Sequence, residues 1–254
     1  MSGVKKLTSG TKEWADFNVN CISGCANNCR YCYAKMTAKR FGRCTEESWK
    51  EMKIRKKDVE KNYKKYNGRV MFPSSHDIVN ILKIKEACFL VLEKLLLAGN
   101  DVLVTTKPNL SVTKEIIKLF KQYNSQIQFR FTITSTSTEI LSFWEPNAPS
   151  YEERLESLIF AYKEGYKTSV SIEPFLDKEP QNLVHQVAPY ITESIWIGPM
   201  NYIPRKNISE EDQLMYEAIR ENVEISHLKE IYENLKDFTK IRFKDSMKIK
   251  LGLM

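Results

Sequence analysis

Apolar and polar positions follow two alternating periods along the chain. Short apolar runs bounded by glycine, proline or asparagine predict β-strands, and longer stretches with apolar residues three and four apart predict helices. We expect strands at residues 14–20, 68–72, 101–106, 126–134, 167–172 and 194–198. We expect helices at residues 34–40, 45–66, 78–98, 112–123, 151–164, 181–190, 209–222 and 226–237.

The alternation of strands with single helices predicts a parallel sheet, because parallel neighbours need a crossover connection that is usually a helix. Six βα units are too few to close an eight-stranded barrel. We therefore predict the α/β class, as a partial (βα)6 TIM-type barrel with outer helices and a C-terminal helical extension. The chain is expected to be one domain over residues 1–254, with its core at about 14–200 and the extension at about 205–254.

Three cysteines stand close together just after the first predicted strand. Cys25, Cys29 and Cys32 have the spacing C-x3-C-x2-C. Three thiolates can hold three irons of a cubane cluster and leave the fourth iron without a protein ligand, whereas a cluster with four protein ligands usually only transfers electrons. An iron with open positions can bind a small molecule. Because α/β barrels carry their active sites at the carboxyl ends of the strands, this loop is well placed for chemistry.

A closed four-cysteine site is the alternative that this region leaves open. Cys21 lies four residues before the first cysteine of the cluster, and it could complete a structural zinc site or a fully ligated electron-transfer cluster. Structural zinc sites usually use two cysteine pairs separated by a longer span, and the sequence has no second pair. We expect Cys44 and Cys88 to be buried small hydrophobes. Among the histidines, only His76, in the turn at 74–77, is placed for a role in a site.

Composition and charge constrain the compartment and the partners. Half of the six cysteines lie in one cluster, which favours metal binding in a reducing cytoplasm over a disulfide framework. No apolar run approaches the roughly 18 residues of a membrane span, and residues 1–6 lack the apolar stretch of a signal peptide. We therefore predict a cytoplasmic protein. The net charge of +7 is partly concentrated at 50–65 and 240–250, and these runs fit either nucleic-acid binding or a solvated helix face.

The cysteine loop resembles the signature loop of the radical S-adenosylmethionine (SAM) enzymes. It has the three-cysteine spacing of that superfamily and an aromatic residue, Tyr31, before the last cysteine. Within the superfamily, the chain is most similar to the spore photoproduct lyase-like group. The segments that carry the similarity are residues 24–34, 74–78, 105–107, 130–134, 145–146 and 154–156. The resemblance covers most of the chain and implies the same partial barrel.

The resemblance implies a [4Fe–4S] cluster and SAM as cofactors. In this family, the open iron binds the amino and carboxylate groups of SAM, and one electron cleaves the sulfur–carbon bond to give methionine and a 5′-deoxyadenosyl radical that abstracts hydrogen. An external one-electron reductant, such as flavodoxin or ferredoxin, is implied as a partner. We therefore expect a radical SAM enzyme of a lyase, modifying or repair type, acting on an unidentified substrate for which nucleic acid is one candidate.

Family position and strand ends together assign roles to particular residues. The resemblance implies that the three cysteines ligate iron and that Tyr31 lies against the adenine. Polar residues that end later strands are expected to bind SAM: Ser74, Ser75, Lys107, Thr132, Thr134 and Glu173. Glu173 is also expected to face the substrate as a catalytic residue. Glu145 and Arg154 are expected to form a structural loop clamp, because they lie outside the strand ends.

Two further features of the loop bear on the reaction. Tyr31 and Tyr33 match two tyrosines that the spore photoproduct lyase-like group uses in a hydrogen-atom relay, which makes Tyr33 a candidate catalytic residue. The cysteine that donates hydrogen in that group is replaced here by Ser74, so the resemblance does not extend to lesion repair by the same route. The second function class is a non-catalytic metal-binding module with four cysteine ligands, holding zinc or an electron-transfer cluster, whose basic surfaces hold nucleic acid.

Overall fold

A parallel sheet of seven strands forms the centre of the protein, of which the computed structural model describes residues 10–254. The expectation about residues 1–6 lies outside this range. The strands in chain order are β1 (Phe17–Asn18), β2 (Ile22–Ser23), β3 (Lys53–Ile54), β4 (Val70–Phe72), β5 (Val102–Thr106), β6 (Ile127–Thr132), β7 (Lys167–Ile172), β8 (Ile195–Ile197) and β9 (Ile241–Phe243). Strands β1 and β4 to β9 lie side by side in that order, and β2 pairs with β3 in a separate antiparallel pair.

Helices lie in the connections between the strands and after them. They are α1 (Tyr33–Arg40), α2 (Lys56–Glu60), α3 (Leu82–Leu97), α4 (Leu110–Leu119), α5 (Thr138–Trp144), α6 (Tyr151–Lys163), α7 (Pro180–Val187), α8 (Gln213–Asn222), α9 (Ile225–Leu235) and α10 (Asp245–Lys250). In the part of the chain that the structure describes, none of these helices combines the length and apolarity needed to cross a membrane.

The predicted fold class is confirmed, because the sheet curls into a half-barrel with helices around it. Six of its strands are those expected from the sequence. The seventh, β9, lies inside the segment predicted as a helical extension, so the prediction was wrong at that point. β9 has three residues, with exposed Arg242 between buried Ile241 and Phe243, which is too short a run to show a strand period. Helices α5 and α10, of seven and six residues, were also not predicted.

The long helix expected at residues 45–66 is not formed. In its place the chain makes a short 3-10 turn at Ser48–Lys50, the strand β3 and the short helix α2. Side-chain hydrogen bonds stop the helix at its start, because the Thr45 amide donates to the Ser48 hydroxyl at 2.8 Å. Beyond that turn, β3 pairs with β2, and the Arg55 amide donates to the Cys21 carbonyl at 2.8 Å. Tertiary pairing therefore overrides the helical propensity of this segment.

The two faces of the sheet differ sharply in polarity. Along β6, Phe129 and Phe131 belong to the main apolar core, which the outer helices cover. Gln128 and Arg130 alternate with them and therefore point to the inside of the half-barrel, where both are buried. The inner Arg130 Nε donates to the hydroxyl of Ser169, an inner residue of β7, at 3.2 Å. The inside of the half-barrel is thus polar, whereas its outside is an apolar core.

The two edges of the sheet are connected by the residues that precede β1. This amino-terminal strap, residues 10–16, leads into β1 at one edge and contacts the end of β9 at the other. Lys244, just after β9, donates to the Gly10 carbonyl at 2.8 Å and pairs with Glu13 at 2.8 Å. The Asp245 amide also donates to the Glu13 carboxylate, at 3.0 Å. The strap therefore spans the open side of the half-barrel.

Candidate functional site

The three cysteines of the predicted cluster lie on one loop beyond the carboxyl end of β1. Cys25 and Cys29 are buried, and Cys32 is half-buried at the start of α1, where its Sγ accepts the Lys35 amide at 3.4 Å. The Asn28 amide donates to the Cys25 carbonyl, and the Cys32 amide to the Cys29 carbonyl, each at 3.3 Å. Burial raises the pKa of Cys25 well above its usual value, and it raises the pKa of Cys29 to about 12. The loop is therefore compact and its thiols are shielded from water.

The wall behind this loop consists of the β2–β3 pair and the 3-10 turn at Ser48–Lys50, which precedes β3. The Cys25 amide donates to the Trp49 carbonyl at 2.9 Å, and the two side chains pack in a small apolar cluster apart from the main core. Gly24 has a φ of +88°, and a Cβ there would lie 2.5 Å from the Trp49 carbonyl oxygen and 2.7 Å from that of Glu51. Only glycine fits such a close approach between two backbones.

Asp77, in the turn after β4, joins the cysteine loop to two strand ends. Its Oδ2 accepts from the Asn27 side chain at 2.8 Å and from the Lys107 amide at 2.9 Å. Its Oδ1 accepts from the Thr106 hydroxyl and from the Ile78 amide. One buried carboxylate therefore fixes the loop relative to the carboxyl ends of β4 and β5. Asp77 was not among the site residues predicted from the sequence, although its place in the strand-end turn at 74–77 was a signal for it.

Glu145 is the centre of a second polar cluster, whose charges act on Cys29. The side chain is fully buried, with Arg154 Nη2 at 2.5 Å and Lys107 Nζ at 3.7 Å from its carboxylate oxygens. The hydroxyls of Tyr31 and Thr134 both donate to the same carboxylate. Burial acts to raise the pKa of Glu145, but Arg154 and Lys107 outweigh it and hold the pKa below its usual value. Glu145 and Arg154 thus form the expected clamp, but it also includes the predicted site residues Lys107, Tyr31 and Thr134.

Ser74 and Ser75 are held in a fixed turn by a residue that the sequence analysis did not single out. Asn20 Oδ1 accepts the amides of both serines at 2.8 Å, and its Nδ2 donates to the Ser74 hydroxyl at 2.9 Å. The half-exposed Tyr33 donates its hydroxyl to the Ser74 carbonyl, and burial of that hydroxyl raises its pKa to about 12. Tyr33 and Ser75 also line a cavity of about 280 Å³. The structure therefore brings the predicted residues of this turn and Tyr33 together.

Glu173 lies farther round the half-barrel, after β7. Its carboxylate is 3.6 Å from Lys244 Nζ, which sits closer to Glu13, at 2.8 Å. Burial raises the pKa of Glu173 to about 7, because Lys244 offsets only part of the lost hydration. Arg130 lies deeper inside, with its guanidinium 4.8 Å from the centre of the Trp14 ring, and burial lowers its pKa to about 9. Glu173 therefore belongs to the charged interior and not to the cluster around Glu145.

Thr132 contributes its backbone to the site. Its carbonyl accepts from Arg154 Nη1 at 3.4 Å, and its side chain is half-buried at the end of β6. Thr134, two residues on, is fully buried, and its hydroxyl donates to Glu145. The two threonines, expected to act alike, therefore have different surroundings.

Cys21, the possible fourth ligand, lies in a different group. Its Sγ is 3.8 Å from Cys88 Sγ and 3.9 Å from His76 Nε2. Among residues 10–254 this is the one set of three potential ligands whose atoms all lie within 4.8 Å of one another. The sulfurs of Cys25, Cys29 and Cys32 do not meet that criterion, so they are not gathered around a single ion. Zinc bonds of about 2.3 Å would place thiolates roughly 3.8 Å apart.

The residues present fit a [4Fe–4S] cluster. The donor set is three cysteines on one loop with wider spacing than one ion requires, and each sulfur of a cubane ligand set goes to a different iron. The Lys107 ammonium and the Arg154 guanidinium act on Cys29 and provide positive charge beside an anionic cluster. The loop backbone is fixed by Asp77 through Asn27, so the ligands are held without the metal.

Comparisons with known proteins identify a family and a fold. The model of the radical SAM superfamily matches residues 19–186, which is more than half of the 254 residues. Uncharacterized protein ORF301 of Acidianus two-tailed virus is 30% identical over 193 residues, which cover 72% of this chain and 60% of that protein. Uncharacterized protein MJ0683 of Methanocaldococcus jannaschii is 27% identical over 173 residues, which cover 68% of this chain and 65% of that protein. The chain thus spans less than two thirds of the length of either relative.

Two solved structures share the fold. A spore photoproduct lyase double mutant with bound AdoMet and dinucleoside spore photoproduct has a TM-score of 0.53 at 16% identity, covering 94% of this chain and 78% of that one. Streptococcus suis SuiB bound to S-adenosylmethionine has a TM-score of 0.51 at 10% identity, covering 87% of this chain and 44% of that one. At these identities the likeness concerns the fold alone.

Proposed function

The chain belongs to the radical SAM superfamily, and from that premise we propose that it is an enzyme that uses a [4Fe–4S] cluster and SAM to abstract hydrogen from a substrate. The bound cofactors supply reductive cleavage of SAM to methionine and a 5′-deoxyadenosyl radical. The observation that carries the proposal is the cysteine loop beyond β1, fixed to the ends of β4 and β5 by Asp77. A closed four-cysteine module is disfavoured, because Cys21 lies with Cys88 and His76 instead.

We assign the cluster ligands to Cys25, Cys29 and Cys32 and the binding of the SAM carboxylate to Lys107. In the cluster around Glu145, one carboxylate faces two cations, Arg154 and Lys107, so one positive charge is left over. An anion placed beside Lys107 would neutralise it, and a desolvated pair of that kind is strong. The hydroxyls of Tyr31 and Thr134 are engaged by Glu145, so in this proposal they position Lys107 and the Tyr31 ring rather than bind SAM themselves.

We propose that the turn at Ser74 and Ser75 binds the amino group or ribose of SAM, while Lys107 binds its carboxylate. Asn20 occupies the amides of both serines and leaves the Ser75 hydroxyl free to face the cavity that it lines with Tyr33. Thr132 and Glu173 are assigned to the substrate side, where the interior is charged. Tyr33 is half exposed at the cavity that it lines with Ser75, and we propose it as the residue that transfers a hydrogen atom.

We propose a polyanion, with nucleic acid as the favoured class, as the substrate. Arg43, Lys53 and Arg55 line the cavity that contains Tyr33. The basic run at 50–65 continues from this cavity and includes the exposed Lys56 and Lys57. A basic surface beside the reactive opening would bind phosphates and bring a nucleotide to Tyr33. A half-barrel of this fold can hold a nucleotide, since the spore photoproduct lyase structure contains a bound dinucleoside spore photoproduct.

Anaerobic reconstitution tests the cofactor assignment. We expect about four irons per chain, an electron-paramagnetic signal that changes on adding SAM, and 5′-deoxyadenosine after reduction with flavodoxin, ferredoxin or dithionite. Cys29→Ala should abolish all three, and Cys44→Ala, a matched cysteine outside the ligand set, should leave them intact. One zinc per chain without SAM cleavage would instead support the closed metal-binding module.

Lys107→Met tests the SAM assignment. We expect weaker SAM binding by about tenfold or more, since a charge-assisted pair to a carboxylate contributes on the order of 1.5–3 kcal/mol. Iron content should stay the same, because Lys107 is not a ligand. Lys85→Met removes an ion pair between α3 and α4, to Glu115 at 2.6 Å, and serves as the control. Equal SAM affinity in both variants would contradict the assignment.

The slope of affinity against salt tests the substrate class. Oligonucleotide binding through several phosphates should weaken steeply as salt rises, and Lys56→Gln with Lys57→Gln should make the slope shallower by about one to two ions. The exposed Lys163→Gln at the end of α6 is the matched control. Transfer of deuterium between the deoxyadenosyl group and an oligonucleotide would identify the substrate directly, and binding that ignores salt would argue for a small molecule.

A further inference from the structure

A second cysteine–histidine group lies behind the cysteine loop, outside the proposed active site. It joins Cys21, in the stretch between β1 and β2, His76, in the turn after β4, and Cys88, in the middle of α3. The side chains come from three separate elements, yet their ligand atoms all lie within 4.8 Å of one another. Cys21 and Cys88 are completely buried and His76 is 8% exposed. The convergence of three such groups is a tertiary feature and cannot arise from local sequence spacing.

Hydrogen bonds assign different roles to the two ring nitrogens of His76. His76 Nδ1 lies 3.2 Å from the Asp77 carbonyl, which can only accept, so Nδ1 carries the proton. Nε2 is then unprotonated, and it accepts the Cys21 amide at 3.2 Å. Donation from the remote ring nitrogen to a backbone carbonyl is how metal-ligating histidines are usually oriented. The Nε2 lone pair therefore accepts the Cys21 amide in this structure, with Cys21 Sγ 3.9 Å from the same nitrogen.

We propose that Cys21, His76 and Cys88 bind a thiophilic divalent metal ion, of which Zn²⁺ is the representative. The sulfur–sulfur distance of 3.8 Å equals what two zinc–thiolate bonds of about 2.3 Å subtend at a tetrahedral ion. Two thiolates and one divalent cation sum to zero charge, so the loaded site is compatible with burial, whereas a monovalent ion would leave a net negative charge in the core. Binding releases the two thiol protons to solvent. The metal also replaces the hydrogen bond that the Cys21 backbone amide donates to His76 Nε2.

The Cys21–His76–Cys88 site lies next to a residue that holds the cysteine loop. His76 is adjacent to Asp77, the carboxylate that holds Asn27 of the cysteine loop and the Lys107 amide. A metal bridge from His76 to Cys21 and Cys88 would fix the turn after β4 against α3 and against the strand that leads into the loop. The ion would therefore stabilise the scaffold of the cluster loop without ligating the cluster.

Metal titration of the full chain tests the proposal in a background without the cluster. Cys25→Ala, Cys29→Ala and Cys32→Ala together remove the iron ligands and leave the second group intact. We expect this parent to bind one Zn²⁺ per chain and to melt at higher temperature with Zn²⁺, because a ligand that binds only the folded state stabilises it. Co²⁺ should give thiolate-to-cobalt charge-transfer absorption. A parent that binds no Zn²⁺ would overturn the proposal without any further variant.

Single substitutions in the same parent identify the ligands. Cys21→Ser, Cys88→Ser and His76→Gln should each weaken Zn²⁺ binding by about tenfold or more, since even outer-shell changes at metal sites cost that much. Each cysteine variant should lose about half of the charge-transfer absorption, and His76→Gln should keep it. Cys44→Ser is the matched control and should change neither. Far-ultraviolet circular dichroism identifies any variant that fails to fold. If all three fail, the Zn²⁺ titration of the parent chain decides whether the proposal holds.

The remaining outcomes are equally decisive. Zn²⁺ binding that is unaffected by all three substitutions would place the metal elsewhere and refute the site. A Cys21–Cys88 disulfide in protein purified without oxygen would also refute it. The proposal does not rest on SAM cleavage, so loss of cluster chemistry leaves it intact.

Discussion

Glu173 is buried beside a lysine that is already paired with another carboxylate. Lys244 lies 2.8 Å from Glu13 and 3.6 Å from Glu173, and a single ammonium cannot fully neutralise both. Burial therefore raises the pKa of Glu173 to about 7, with repulsion from Glu13 adding to the effect. The sequence located this residue at a strand end, but its charge state depends on residues 13 and 244, which only the fold brings to it.

The pH dependence of stability reports this environment. Because the folded pKa of Glu173 lies above its value in the unfolded chain, the folded state holds the proton more tightly, and stability falls as pH rises from about 4.5 to about 7. Glu173→Gln should remove this loss and raise the free energy of unfolding at pH 8 by up to about 3 kcal/mol. Urea titrations at pH 5 and pH 8 measure the free energy of unfolding of each protein. Glu193→Gln, at an exposed position, is the control for the loss of one charge. Parallel pH profiles of the wild type and Glu173→Gln would contradict the prediction.

Most strands and outer helices could be predicted from the sequence because their burial imposes a period. β6 and β7 are long enough to show it, and α3 buries one face over four turns. The wall behind the cysteine loop could not be predicted in this way. Its elements β3 and α2 are two and five residues long. β3 forms by pairing with β2, and backbone hydrogen bonds from Arg55 to Cys21 and from Cys25 to Trp49 hold the residues beside it. Pairings of this kind are tertiary and leave no local pattern.

The close approach of this wall to the loop predicts a sharp effect at one glycine. Gly24→Ala would place a Cβ 2.5 Å from the Trp49 carbonyl oxygen, and the backbone on both sides is hydrogen-bonded and cannot move away cheaply. Gly165→Ala is the matched control, since its φ of +76° is similar but a Cβ there meets nothing within 4 Å. Both variants should lose the roughly 1–2 kcal/mol of a left-handed alanine, and only Gly24→Ala should lose more and incorporate less iron. Equal thermal midpoints and iron contents in the two variants would show that the loop does not need this contact.

At the scale of the whole molecule, the cysteine spacing predicts the chemistry and the strand order predicts where it lies. What the sequence did not predict is how polar side chains join the strand ends, namely half-buried Asn20 and the buried carboxylates of Asp77 and Glu145. Most of their partners are 29 or more positions away in the chain; the exceptions are Ile78, which is next to Asp77, and Thr134 and Arg154, which are 11 and nine positions from Glu145. The place of Asp77 in a strand-end turn was visible in the sequence, but the convergence of these partners depends on the curl of the sheet.

The strap at residues 10–16 crosses the open side of the half-barrel, and Lys244 contacts it through Gly10 and Glu13. Lys244→Met keeps the length of the side chain but leaves Glu13 and Glu173 buried without their cation. Breaking a buried ion pair from one side typically costs about 3–5 kcal/mol, so we expect a loss of that order. Amides of the strap should exchange with deuterium faster while those of β6 and β7 keep their protection.

A second lysine one turn further along α10 provides the comparison. The half-exposed Lys248 pairs with Asp245 at 3.1 Å, and because its ammonium stays partly in water, Lys248→Met should change the free energy of unfolding by about 1 kcal/mol or less. Adding Glu13→Gln to Lys244→Met should recover part of the lost stability, because it removes one of the two unpaired charges. If the strap exchanged no faster in Lys244→Met than in Lys248→Met, the half-barrel would be closed by its apolar contacts alone, and the charged interior around Glu173 would have to be explained by its place in the substrate site.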